Sequence, residues 1–294
     1  MKILHIHAHF DDFEFVAAGT FELWRRKLGA DLHARVLVCT DGKAGHHFRT
    51  REETMCLRLE EQEASARFGQ YEFRLLRLPN GEVPRDGCLL VNTPLLAALW
   101  KEIREFQPDY IFAPPYPSDP LAGIHVDHVA VSEAVRKVAY MINVPHAFLP
   151  EFPNDEVKNE PVKVPVILTV HDSYMAGENA FDLAADVEDA FDAICEMTWC
   201  HQSQIAEWIP WVGRHEMDAP QSMEDWKKTL RRRFVKRNRE MGLPFERIHE
   251  FFTVTAWGEI PDEAQVSKDF PNLNRAFSHL EDLRVRLNRW RGDT

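Results

Sequence analysis

Ala8-His9-Phe10-Asp11-Asp12 puts one imidazole and two adjacent carboxylates directly after a short apolar run, Ile3–Ala8. His125-Val126-Asp127-His128 supplies a second cluster of the same donor types far along the chain. Hydrolytic zinc sites use three protein ligands of mixed imidazole and carboxylate type and keep one position for water. His9, Asp12 and His128 supply such a set. Zinc there lowers the pKa of a water to about 7, and a nearby base completes its deprotonation. Asp11 adjoins a ligand but points the other way, which leaves it free to be that base. His125 and His128 are three apart, so on the first turn of a helix they lie on neighbouring faces. One binds metal while the other addresses a substrate carbonyl or leaving group. Asp127 is placed to orient a histidine from behind.

Each cluster alone has a plainer meaning. Adjacent aspartates commonly cap a helix, and a histidine pair at this spacing is often a solvated helix start. Their joint occurrence, each at the carboxyl end of a strand, favours the metal. Iron(II) accepts the same donors as zinc, and the donor types do not separate the two.

The elements that must position these groups follow from hydrophobic periodicity. Strands are expected over Ile3–Ala8, His33–Cys39, Phe73–Leu76, Tyr110–Ala113 and Val166–Val170, with a further one over Glu250–Ala256. Helices are expected over Phe13–Leu28, Thr50–Phe68, Thr93–Phe106, Asp127–Ile142, Asp186–Cys200 and Asn272–Arg291, with a proline-rich loop over Pro145–Val164. Strand-helix alternation predicts an α/β, Rossmann-like fold: a mostly parallel sheet with helices on both faces. In such sheets ligands bind at the carboxyl edge of the strands, where both clusters lie. Residues 1–205 read as the catalytic α/β domain and 206–294 as a C-terminal elaboration of it, with region 145–294 forming part of the substrate cleft.

The 294 residues bury a large core without disulfides. With 35 basic and 47 acidic residues the net charge is −12, which excludes a general nucleic-acid or anionic-membrane surface. The basic run Lys227–Arg239 reads as a solvated helix with Trp226, Leu230, Phe234 and Val235 inward. Five scattered cysteines without a CxxC pair, no signal segment and no membrane-spanning stretch predict a reduced, cytoplasmic protein. Neither GxGxxG nor a P-loop is present, which disfavours dinucleotide and NTP binding.

Residues 8–14 with Ala18-Gly19-Thr20 resemble the AHPDD(x)E…GGT opening of the LmbE-like (PIG-L) family of metal-dependent N-deacetylases. Val36–Gly45 resembles its TxGxxG segment, Arg58–Gly69 its RxxE helix, Leu76–Gly81 its LPDG turn, His125–His128 its HPDH and His201–Gln204 its HxSQ. The resemblance implies a Rossmann-like domain with His9, Asp12 and His128 as metal ligands and Asp11 as general base. It implies that His125, protonated, steadies the oxyanion or protonates the leaving amine. It implies substrate contacts for Arg58, while His201 on its helix reads either as a contact set against the site or as a structural anchor.

The chain departs from the family pattern at Phe10 and Val126, which replace prolines, and in the loop Pro120–Ile124. The tyrosine that some relatives place before the second cluster is absent, and Tyr116 is the candidate in its stead. His5 and His7 read as core histidines, with a further role open to His7. His46 and His47 sit where they can line a cleft mouth. Trp208, Trp211 and Phe148 offer faces for a sugar ring.

The expected activity is zinc-dependent hydrolysis of an N-acetyl or other N-acyl group on an amino-sugar-containing small molecule. An amidase acting on a thiol conjugate or other non-sugar amide is the alternative, and a non-catalytic carbohydrate-binding relative is a third. The oligomeric state is left open by the sequence.

Overall fold

Strand and helix alternate from the first residues. In this computed structural model, which describes residues 1–153, 161–213, 217–244 and 246–292, β1 (Lys2–His7) leads through α1 (Asp12–Val16) and α2 (Ala18–Leu28) to β2 (His33–Val38). Then come α3 (Arg51–Gly69), β3 (Glu72–Leu75), α4 (Thr93–Phe106), β4 (Tyr110–Ala113), α5 (Val126–Met141) and β5 (Val166–Val170). The remainder holds β6 (Leu183–Asp186), α6 (Phe191–Trp199), α7 (Ile209–Val212), α8 (Met223–Glu240), β7 (His249–Val254), α9 (Glu263–Asp269) and α10 (Leu280–Arg291). Residues 154–160 of the expected proline-rich loop lie outside the described residues.

The strands form one seven-stranded sheet in the order β3-β2-β1-β4-β5-β7-β6. β1 to β5 pair in parallel, and β7 runs antiparallel to both β5 and β6. The order reverses at β1, which has β2 on one side and β4 on the other. This is the topological switch point where open α/β sheets bind ligands. Both motifs emerge there.

Successive strand residues face opposite sides, and the core divides accordingly. Ile3, Val36, Phe112 and Leu168 pack with residues of α1, α2, α6 and α8. Leu4, Ile6, Leu37, Ile111 and Ile167 pack with α4 and α5 on the other face. Thr50 starts α3 with a capping box to Glu53, and Asn92 caps α4.

Three expectations are corrected. The helix expected over Phe13–Leu28 is broken at Ala17, φ −144°, which frees the backbone at the start of α2. There Gly19 and Thr20 donate to the Glu250 carboxylate of β7, both at 2.8 Å. Gly19 is required, since a Cβ would lie 2.7 Å from Val187 Cβ. The strand β6 was not expected, because Leu-Ala-Ala-Asp carries no β-branched residue; pairing with β7 makes it a strand. The last helix starts at Leu280 rather than Asn272, which is left-handed at φ 47°.

Candidate active site

The chain leaves β1 and turns sharply at Asp11, whose φ of 82° is left-handed. A non-glycine residue there costs on the order of 1–3 kcal/mol, strain that collects at functional sites. The surroundings enforce it. Gln62 Oε1 accepts from the Asp11 backbone N–H at 3.0 Å. Arg58 donates to the Phe10 carbonyl at 2.6 Å and to Asp11 Oδ1 at 3.0 Å. Phe10 is fully buried against Phe73. Gly42 (φ 63°) lets the chain pass its ring, for a Cβ there would lie 2.6 Å from it. Packing thus does what a proline does in the related motif.

Asp11 and Asp12 diverge from this turn. Asp12 faces His9 and His128, which starts the buried face of α5. His9 Nδ1 lies 3.2 Å from Asp12 Oδ2 and 3.3 Å from His128 Nε2, which lies 3.5 Å from Asp12 Oδ1. Ligands about 2.0–2.1 Å from a tetrahedral zinc are about 3.3 Å apart, so this triangle fits a metal at its centre. Overlapping donor groups, His9-His125-His128, His7-Asp12-His128 and His9-Asp86-Asp127, surround it.

The other nitrogen of each of these two candidate ligand rings is tied down. His9 Nε2 donates to Asp127 Oδ2 at 3.1 Å, with Asp86 Oδ1 at 3.4 Å. His128 Nδ1 donates to Asp172 Oδ2 at 2.9 Å. These carboxylates fix the tautomers, leaving Nδ1 of His9 and Nε2 of His128 as lone pairs aimed at each other. Two opposed lone pairs need a cation between them. Asp127 is itself held by the backbone N–H groups of Gly87 and Leu89, at 2.6 and 3.0 Å. His7 Nδ1 lies 2.6 Å from Asp12 Oδ2, beside the third donor.

Electrostatics point the same way. Burial raises the Asp12 carboxyl, but His7, His128 and His9 outweigh it and hold it well below the ordinary range. Burial opposes charge on His128 too, yet Asp12 and Asp172 lift it to about 9. The pocket therefore selects for positive charge, whether carried by protons or by a metal ion. Asp11 differs: burial pushes it up to about 6 against the pull of Arg58. His125 is pushed down to about 4 by burial and by His9 and His128. It is thus neutral, where the resemblance implied a protonated imidazole. Its Nδ1 accepts from the Asp127 N–H at 3.3 Å, which leaves Nε2–H as a donor.

These groups line a cleft of about 560 Å³ together with Tyr174, Trp208, Arg233 and Arg237. Several expected contacts lie elsewhere. Tyr116 packs against Arg136 and is not among the cleft-lining residues. Tyr174 stands in its stead, with its ring 5.1 Å from that of His125. Burial and the Asp12 and Asp11 carboxylates raise its pKa, so the hydroxyl stays a donor. His201 is fully buried 3.2 Å from Glu14 and cannot touch a ligand. Arg58 reaches the cleft but uses its guanidinium on Phe10, Gly42 and Asp11. Phe148 belongs to the core against Trp100. His5 is fully buried with neither ring nitrogen partnered. His46 pairs with Glu207, and His47 stacks on Trp211 at 4.5 Å.

Sequence reasoning missed Asp86, Asp172, Tyr174 and the two arginines. Asp172 and Tyr174 follow β5 directly, and their place at a strand's carboxyl end is the signal that could have found them. Arg233 and Arg237 belong to the run expected to be a solvated helix face; α8 instead turns them into the cleft.

Fold and donor set together define an α/β protein with a candidate metal centre at its switch point. Over residues 4–139, which carry both motifs, the chain matches the PIG-L (LmbE-like) family model, described as GlcNAc-PI de-N-acetylase. Among solved structures it is similar to N,N'-diacetylchitobiose deacetylase from Pyrococcus horikoshii, at 21% identity and TM-score 0.62, over 87% of this chain and 84% of that one. A conserved protein of Thermus thermophilus is 20% identical at TM-score 0.59, over 86% and 93%. 4-Carboxy-2-hydroxymuconate hydratase from Pseudomonas putida is 15% identical at TM-score 0.58, over 86% and 95%. These likenesses establish a shared fold. No curated protein matches the chain.

Proposed function

We propose that the protein is a divalent-metal hydrolase that removes an N-acetyl group from an amino-sugar-containing small molecule. The observation that carries this reading is the His9–Asp12–His128 triangle with the uncoordinated Asp11 beside it. The donor set suits zinc, with iron(II) accepted by the same atoms. The family description and the deacetylase among the similar structures support the amide substrate. A hydratase shares the fold, and fold alone does not fix the reaction.

When bound, the metal polarises the amide carbonyl and makes water acidic enough to attack near neutral pH. The residues of the chain do the rest. Asp11, with a pKa raised to about 6, takes a proton from the attacking water and returns it to the departing amine. His125 Nε2–H and the Tyr174 hydroxyl donate to the oxygen that gains charge. Arg58, held between Phe10 and Asp11, keeps the base in position. Trp208, on the cleft wall, offers a face for the sugar ring.

Among the described residues no helix is long and apolar enough to cross a membrane. All five cysteines are free, which suits a reducing cytoplasm.

A panel of N-acetylated amino sugars assayed for released acetate, with and without chelator, tests the reading. Chelator-sensitive acetate release supports it. Failure across the panel by protein carrying stoichiometric metal refutes it.

A further inference from the structure

We propose that the substrate carries an anionic group, a phosphate or carboxylate, that seats on Arg237 and Arg233 in the wall of the cleft that holds the metal donors. The assignment of the acetamido end rests on the deacetylase reading; the anion site does not.

Arg237 is only 8% exposed, lines the cleft, and has no hydrogen-bond partner for Nη1 among the described residues. No carboxylate lies within ion-pair distance of it there. A buried guanidinium without an anion is costly to keep. Burial accordingly pushes its pKa down to about 10. The charged groups that face it are Glu250, Arg233 and Glu240, with His171 beside it. Glu250 is engaged elsewhere, accepting from Gly19 and Thr20. Glu240 is exposed and sits near Lys236 at 3.8 Å. His171 is neutral, pushed down to about 3 by burial and by Arg237. Glu250 and Glu240 raise its pKa from beyond ion-pair distance, and neither hydrogen-bonds it among the described residues.

Arg233 lies one turn earlier on the same face of α8. It stacks 5.0 Å over Phe15, a cleft residue, and among the described residues its Nη1 donates to the Met217 sulfur, at 3.7 Å. Its field reaches Asp11 and Tyr174 at the reacting end. Each guanidinium presents a planar donor fork that matches phosphate or carboxylate oxygens. In a chain of net charge −12, such a wall is what allows an anionic substrate to enter.

Binding of inorganic phosphate and of malonate to the metal-loaded protein, measured by calorimetry, tests the site and distinguishes the two anion sources. Arg237→Gln should weaken the preferred anion about tenfold or more, with Arg237→Lys in between. Arg237→Met should leave the melting temperature equal or higher, since an unpaired buried charge is removed. Equal affinity in wild type and Arg237→Gln overturns the proposal, as does a sharp loss of stability in Arg237→Met, which marks a structural arginine. Should Arg237→Gln misfold while Arg237→Met does not, Arg233→Gln on the more exposed arginine gives the same reading: weakened anion binding supports the site, and unchanged affinity overturns it. Glucosamine, glucosamine 6-phosphate and muramic acid then report on the substrate. A charged amino sugar favoured in wild type and not in Arg237→Gln supports the proposal. Anion binding without acetate release from any N-acetyl sugar leaves the site standing and removes the deacetylase.

Discussion

His9 Nδ1 and His128 Nε2 face each other across 3.3 Å, and each ring is pinned from behind by a carboxylate, Asp127 for one and Asp172 for the other. The pair is a preformed cation trap whose two supports come from different elements, the first turn of α5 and the segment after β5.

Asp127→Asn and Asp172→Asn should each weaken metal affinity about 10–100-fold without removing a ligand. Competition against a chromophoric chelator measures this. Wild-type affinity in both variants would sink the orienting role.

Asp11→Asn should lower turnover by about 10²–10⁴-fold while metal content stays at the wild-type level. It should also raise the melting temperature. The folded pKa, about 6, lies above the ordinary carboxyl value, so ionised Asp11 destabilises the fold above that pH, and the cost disappears as pH falls below the ordinary value. The same number sets the acid limb of kcat/KM: activity needs the ionised base and falls as pH drops through about 6. A bound cation pulls the limb lower, as Arg58 does. Arg58→Gln should therefore move it upward, and an unmoved limb would assign it to another group.

Tyr174→Phe should reduce kcat by about 10²-fold or less, the scale for one donor to a developing oxyanion. Tyr116→Phe should leave kcat unchanged. Steady-state kinetics on the two variants decide between the tyrosines.

Phe10→Ala should cost about 3–5 kcal/mol in denaturant unfolding, as a fully buried aromatic does. Turnover should fall with it, because the Phe10 ring and carbonyl hold the turn that aims Asp11. A variant destabilised that much with full turnover would separate the packing from the site.

The sheet was legible because strand and helix periods alternate cleanly and Gly, Pro and caps mark their ends. The strand β6 was not, since its pairing with β7 arises from residues 60 to 70 positions away. His9, Asp11, Asp12, His125 and His128 were legible because they fall in two short motifs at strand ends. Asp172 and Asp86 lie on other loops and meet the histidines only in three dimensions. Arg233 and Arg237 were hidden for another reason: a charged run looks solvated until tertiary packing shows which face is turned inward.

The place of β7 has a consequence for biosynthesis. The ribosome delivers every proposed metal ligand by His128, yet the outer edge of β5 stays unpaired until residues 249–254 arrive. An open edge beside a hydrophobic face invites pairing with other chains. The nascent protein is thus most exposed to aggregation after its catalytic donors are made, and shortening its C-terminal region should reveal itself first as insolubility.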